Sequence, residues 1–98
     1  MIGHYRQIVA AKKILHPDRF LEAFPGGNTD PAAFARLISN LPEGTTELLT
    51  HPAFAAGCRR YLGDKANHRA AELAALCDPI VRQAVTDAGI ELVNFRQL

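Results

Sequence analysis

The sequence predicts an α/β fold with about three parallel strands, in the order α-β-α-β-α-α-β. Three observations carry that expectation. Apolar residues recur at helical spacing in four segments. Three short runs rich in β-branched and aromatic residues lie among them. Proline, glycine and capping aspartates mark the borders. Strands separated by helices favour a parallel sheet with right-handed crossovers.

The first helix is expected over Gly3 to Leu15, with Tyr5, Ile8, Ala11 and Leu15 on one side. Pro17 stops it, because the residue before a proline disfavours helical angles. "DRFLEAF", Asp18 to Phe24, reads as a strand buried on both sides, since both parities carry apolar residues. "PGGNTD" is a loop. Asp30 caps the next helix and Pro31 occupies its first turn, where a missing N–H costs nothing. Phe34, Leu37, Ile38 and Leu41 form its inner stripe, and Pro42 and Gly44 end it.

"TTELL" begins the second strand at Thr45. Pro52 to Gly63 is irregular and reads as a loop with room for a short helical turn. Asp64 is placed to cap a helix over about Lys65 to Leu76. Ala66, Ala70, Leu73 and Cys77 make its stripe, and Arg69 and Glu72 can pair at three-residue spacing. The same cap logic recurs at Asp78 and Pro79. Ile80, Val81, Ala84, Val85 and Ala88 are expected to pack, and Gly89 closes the helix. "IELVNF", Ile90 to Phe95, is the third expected strand.

The 98 residues suffice for one small α/β domain, residues 1–98. Eleven Lys and Arg balance ten Asp and Glu, which argues against a general electrostatic grip on nucleic acid or anionic lipid. No apolar run approaches the ~20 residues of a membrane span. The N-terminus lacks the uninterrupted apolar stretch of a signal peptide, so a cytoplasmic protein is expected. Cys58 and Cys77 are not a C-x-x-C pair and are expected as reduced thiols, Cys77 packed in its stripe.

Three parallel strands pose a problem of cover. Parallel sheets are normally buried on both faces, and a closed α/β barrel needs about eight strands. Either some helices cross to the second face, or a second chain covers it, or the chain is part of something larger.

"HPDRF", "LPEGTTELLTHPAF" and "HRAAELAALCDPIVRQAVTDAGIELVNFRQL", in that order and spacing, resemble the C-terminal part of YdjC-like carbohydrate deacetylases. The hopanoid-biosynthesis-associated, HpnK-like branch is the nearest in pattern. The resemblance runs from about Tyr5 to Leu98. It implies that this is a partial (β/α) barrel-like unit of an enzyme that removes acetyl groups from N-acetylated sugars with a divalent metal, magnesium or zinc. The family's metal-binding aspartate and histidines, and its catalytic aspartate, belong to N-terminal and central parts with no counterpart here. Only the histidine of the H-P turn has one, and it is His51. Pro25 replaces the serine usual before the Gly loop, and Ala53 and Phe54 lead directly into "GCRRYL" where a longer insertion is usual.

His51 is therefore the single candidate catalytic residue; no cofactor-binding or metal-binding residue is assigned. From the residues alone, it is a histidine in a polar turn. With the resemblance, it sits where α/β-barrel active sites collect, at the C-terminal end of a strand. Amide hydrolysis needs a proton for the departing amine, and an imidazole can deliver one near neutrality. Glu47 lies four residues back on the strand, about 13 Å away, and reads as structural. His4, His16 and His68 show no i, i+4 pair of histidines that would mark a metal site. "PGGNTDP" reads as turn and cap, since Asp30 would repel an anion, and Arg59 and Arg60 read as solvated surface.

Two functions follow. One is the C-terminal portion of a sugar deacetylase, inactive alone and completed by the missing N-terminal barrel portion. The other is a non-catalytic assembly module that buries its open sheet face by forming a homo-oligomer.

Overall fold

Two prolines and two aspartates start two of the helices as their side chains dictate. In the computed structural model, which describes residues 15–98 without the side chains of Cys58 and Tyr61, helix α1 spans Pro31–Ser39. The Asp30 carboxylate accepts from the Ala32 N–H at 3.1 Å. The last helix repeats the device: Asp78 Oδ1 accepts from the Ile80 N–H at 3.0 Å, and the helix runs Pro79–Asp87. Each cap satisfies an N–H that the helix itself cannot.

Strand β1 (Arg19–Glu22) pairs in parallel with β2 (Thr46–Leu49), with Arg19 opposite Thr46 and Glu22 opposite Leu49. Helix α1 is the crossover between them, so β1, α1 and β2 form one βαβ unit. Helices α2 (Ala55–Leu62) and α3 (Lys65–Cys77) follow, then α4 (Pro79–Asp87). Short 3-10 turns lie at Pro25–Gly27 and Phe95–Gln97. The helix expected over Gly3–Leu15 lies, Leu15 apart, outside the described residues, as does His4.

The core forms where α1 packs on α4 beside the sheet. Phe34 and Ile38 from α1 meet Val81 and Ala84 from α4, Ala75 from α3, and Ala23 and Phe24 just beyond β1. The rings of Phe24 and Phe34 stack with centroids 4.9 Å apart. Leu48, Leu76, Val85 and Ile90 pack against this cluster from its margin.

The entry to the sheet is fixed by one clamp. Asp18 Oδ2 accepts from the Thr45 N–H at 2.7 Å. Arg19 Nη2 donates to the Glu43 carbonyl at 2.9 Å, and its Nη1 to Thr46 Oγ1 at 3.0 Å. The "PDRF" and "LPEGTTEL" stretches are thus two halves of one contact. Gly44 stands inside it with φ 104°, and a Cβ there would fall 2.5 Å from Asp18 Oδ2. Gly44→Ala is expected to lower stability by about 1–3 kcal/mol, through a disfavoured backbone and a displaced Asp18. Urea unfolding followed by circular dichroism measures it.

Several expectations are corrected. Two strands form among the described residues, not three, and no barrel-like closure is shown. Ile90 to Asn94 forms no strand. Its N-terminal end is held by the Ile90 N–H on the Val85 carbonyl at 3.1 Å. Its C-terminal end turns back, because Asn94 Oδ1 accepts from the Arg96 N–H and Gln97 Oε1 from the Asn94 N–H, each at 2.9 Å. Strand propensity is expressed only against a neighbour, and here the neighbouring backbone is not paired with it.

Strand β1 is not buried on both sides either: Phe20 is 57% exposed, and Leu21 is exposed as well. The stretch read as a loop contains α2. Alanines, arginines and Leu62 outweigh Gly57, and Gly63 at φ 57° closes the helix with its N–H on the Arg59 carbonyl at 3.0 Å. Asp64 does not cap α3, being itself in helical conformation with no side-chain bond. Cys77 is exposed, and so are Ile80 and Ala88. The buried positions of α3 are Ala66, Glu72 and Ala75, of which only Ala66 belongs to the expected stripe.

Candidate functional site

Both strands deliver their C-terminal ends to one cleft of about 330 Å³. Glu22, the last residue of β1, and Leu49, the last of β2, line it. Ligand sites in parallel α/β structures collect at this end of the strands, where connecting loops diverge. Beyond β1, the chain makes the Pro25–Gly27 turn with Gly26 at φ 67° and Gly27 at φ 76°. Beyond β2, it reaches His51 and Pro52. The first turns of α3 close the cleft with Lys65, His68, Arg69 and Glu72.

His51 is exposed and lines this cleft. Its backbone, rather than its ring, carries the anchoring contact: the His51 N–H donates to Glu72 Oε1 at 2.9 Å. Two residues on, the Ala53 N–H donates to the Arg69 carbonyl at 3.3 Å. The H-P turn is therefore fastened to α3 at two points, which fixes where the imidazole leaves the chain.

Glu72 is the residue that sequence reading missed as a member of the site. It is 3% exposed, the one buried polar or charged residue among those described. A buried carboxylate needs partners, and both of its oxygens have them. Oε2 lies 3.3 Å from His68 Nε2 and 3.9 Å from Arg69 Nη1. The Arg69–Glu72 pair expected from spacing is present, but it is the longest of the three contacts. His68 and Glu72 stand at i, i+4, and that spacing is the signal that would have found them together. The tie to His51 crosses 21 positions and leaves no local signal.

The remaining candidates sit elsewhere. Glu47 lines a separate groove with Pro17, Thr45, Phe95 and Leu98. "PGGNTDP" is turn and cap, with Asn28 Oδ1 accepting from the Asp30 N–H at 3.0 Å. Arg59 donates to Asn67 Oδ1 at 3.0 Å, which ties α2 to α3. His16 stays beside the start of β1, with Nδ1 2.7 Å from the Pro17 carbonyl. Among the described residues, no group of three or more His, Cys, Asp or Glu side chains is placed to hold a metal ion. No helix among them is long and apolar enough to cross a membrane.

A family model described as YdjC-like protein matches residues 1–87. The chain belongs to the YdjC-like family. The match takes in both strands, the H-P turn and every residue lining the cleft, and it ends with the last residue of α4. Residues 88–98, which hold the unpaired Ile90–Asn94 segment, lie outside it. No curated protein and no solved structure matches the chain. Within the YdjC-like match, the chemistry on offer is an exposed imidazole, a second imidazole held by a buried carboxylate, and one lysine and one arginine beside them.

Proposed function

We propose that this chain is the C-terminal portion of a YdjC-like carbohydrate N-deacetylase, of the hopanoid-associated branch, and that it is inactive alone. The observation that carries the reading is the placement of His51. It stands on a cleft at the carboxyl ends of both strands, in a turn fastened by a buried carboxylate. Cleaving an acetamide breaks the C–N bond, and the departing amine must take up a proton. His51 is the group on this chain assigned to supply it. The βαβ unit would form one sector of a barrel whose other strands complete the sheet.

The family implies a divalent metal, magnesium or zinc. The described residues do not fit one, since they bring no three ligand side chains together. No step on this chain is therefore assigned to a metal.

The exposed apolar residues favour a second reading of another class. Phe20, Phe54, Leu92 and Phe95 are all more than half exposed, and apolar surface of this kind suits an assembly module that buries it against a second copy. Two measurements separate the readings. Incubated with N-acetylglucosamine oligomers and zinc, cobalt or magnesium, the chain is expected to release no acetate. Acetate release that disappears in His51→Ala would overturn the claim of inactivity. Light scattering that finds a dimer without dye-binding surface supports the assembly module, and a strict monomer counts against it.

A further inference from the structure

The ladder decides which way the last residue of β1 faces. Successive side chains of a strand alternate between its two faces. Ala23, just past β1, packs in the core, and Leu48 of β2 packs at its margin. Glu22 and its register partner Leu49 therefore face the other side of the sheet, and both line the cleft. The Ala23 N–H donates to the Leu49 carbonyl at 3.0 Å, so the backbone is held on both sides of Glu22.

The two carboxylates of the lining are in different situations. Glu72 accepts the His51 N–H and has His68 and Arg69 beside it. The Glu22 side chain has no hydrogen bond and no ion pair among the described residues. It stands at the end of β1 beside Leu49, and His51 follows Leu49 by two positions. The cleft thus holds one exposed carboxylate that no part of the described fold uses, next to the strand that delivers His51.

We propose that Glu22 binds an ammonium group in this cleft, so that the ligand the cleft prefers is an amino sugar with its amine free. The assignment of that ligand as a sugar rests on the deacetylase reading above. Hydrolysis of an acetamide leaves an amine on the sugar, which takes up a proton near neutrality, while acetate carries away the negative charge. The ammonium needs a counter-charge, and Glu22 is the carboxylate of the lining that nothing else engages. Lys65 opposes the binding, since its ammonium lines the same cleft and is also without a partner among the described residues. Its flexible stem lets that charge move away from an incoming cation, whereas the ladder sets the place of Glu22.

Calorimetric titration of the full chain near neutral pH compares the glucosamine disaccharide with its di-N-acetylated form. The free amine is expected to bind about fivefold tighter, the upper end for an exposed ion pair, and the preference is expected to fade as salt is added. Glu22→Gln keeps the shape and removes the charge, so it is expected to abolish the preference and leave the acetylated sugar bound as before. Lys65→Gln is expected to enlarge the preference. Carbon NMR of the Glu22 side-chain carboxyl in the unsubstituted chain gives a reading that needs no variant. That resonance is expected to shift with the glucosamine disaccharide.

Equal binding of the two disaccharides, a preference that survives in Glu22→Gln, or an unmoved Glu22 carboxyl overturns the ammonium site and leaves the carbohydrate reading standing. Glu22-dependent binding of the free amine without any binding of the acetylated form keeps the ammonium site and takes the substrate away from the deacetylase reading. Binding of neither disaccharide overturns both.

Discussion

Phe34→Ala is expected to cost about 3–5 kcal/mol, the range for removing a buried aromatic side chain from a packed core. Phe34 is 4% exposed, and it joins the two halves of the core. Its ring stacks on Phe24 at the end of β1, and its helix packs on α4. The cavity would open between a helix and the segment that leads from β1 into the cleft, so neither side can close it alone. Small proteins hold only about 5–15 kcal/mol in total, and the loss is therefore a large share. For a chain of this size it corresponds to a fall in Tm of roughly 15–30 °C. Thermal unfolding by circular dichroism measures it. Phe20→Ala is the control, because Phe20 sits on the same strand as Glu22 but is more than half exposed. A Phe34→Ala protein melting as the parent does would mean that the helices and the sheet do not share one core.

What the sequence made legible follows the range of the interactions. Asp30 and Asp78 cap helices through N–H groups two residues away, so the pattern Asp-Pro before an apolar stripe was enough. β1 and β2 were readable because proline and glycine bound them and because each finds a partner in the other. Ile90 to Phe95 has the same composition, and the sequence cannot tell a strand with a partner from one without. Two short local bonds, at Asn94 and Gln97, direct that backbone into a turn instead. Helix α2 was missed for the opposite reason. It is short, contains Gly57, and gains support from packing on α3, which no local pattern reveals.

The cleft shows the same division. His51 was legible from its place after a strand and from the family pattern of the H-P turn. Glu72 was not, because periodicity assigns polar residues to the solvent side and Glu72 lies on the inner face of α3. That assumption also misplaced Cys77, which the apolar stripe put inside and the structure puts outside. Glu72 and Ala75 lie off the expected stripe and are buried, while Cys77, the last residue of α3, is exposed although it follows Ala66 on the same side of the helix.

Glu72→Ala is expected to lower stability by about 1.5–3 kcal/mol, the range for a hydrogen bond to a charged group. The figure belongs toward the lower end, for a physical reason. His51 is exposed, so water can reach its N–H once the carboxylate has gone, and His68 and Arg69 are themselves partly solvated. The larger consequence is local. With Glu72 Oε1 removed, the H-P turn keeps only the longer bond from the Ala53 N–H to the Arg69 carbonyl. Hydrogen exchange at the His51 amide is expected to accelerate well beyond the global change, while amides in α1 and α4 follow the global change alone. Glu72→Asp sharpens the test, because it keeps the charge but withdraws the carboxylate by one methylene from a bond of 2.9 Å. If charge in the vicinity were enough, Glu72→Asp would protect His51 as the parent does. Because the geometry of one oxygen fixes the turn, the aspartate is expected to leave His51 nearly as unprotected as alanine does. Equal protection of His51 in parent and Glu72→Ala would show that the turn is held without the carboxylate, and would remove Glu72 from the site.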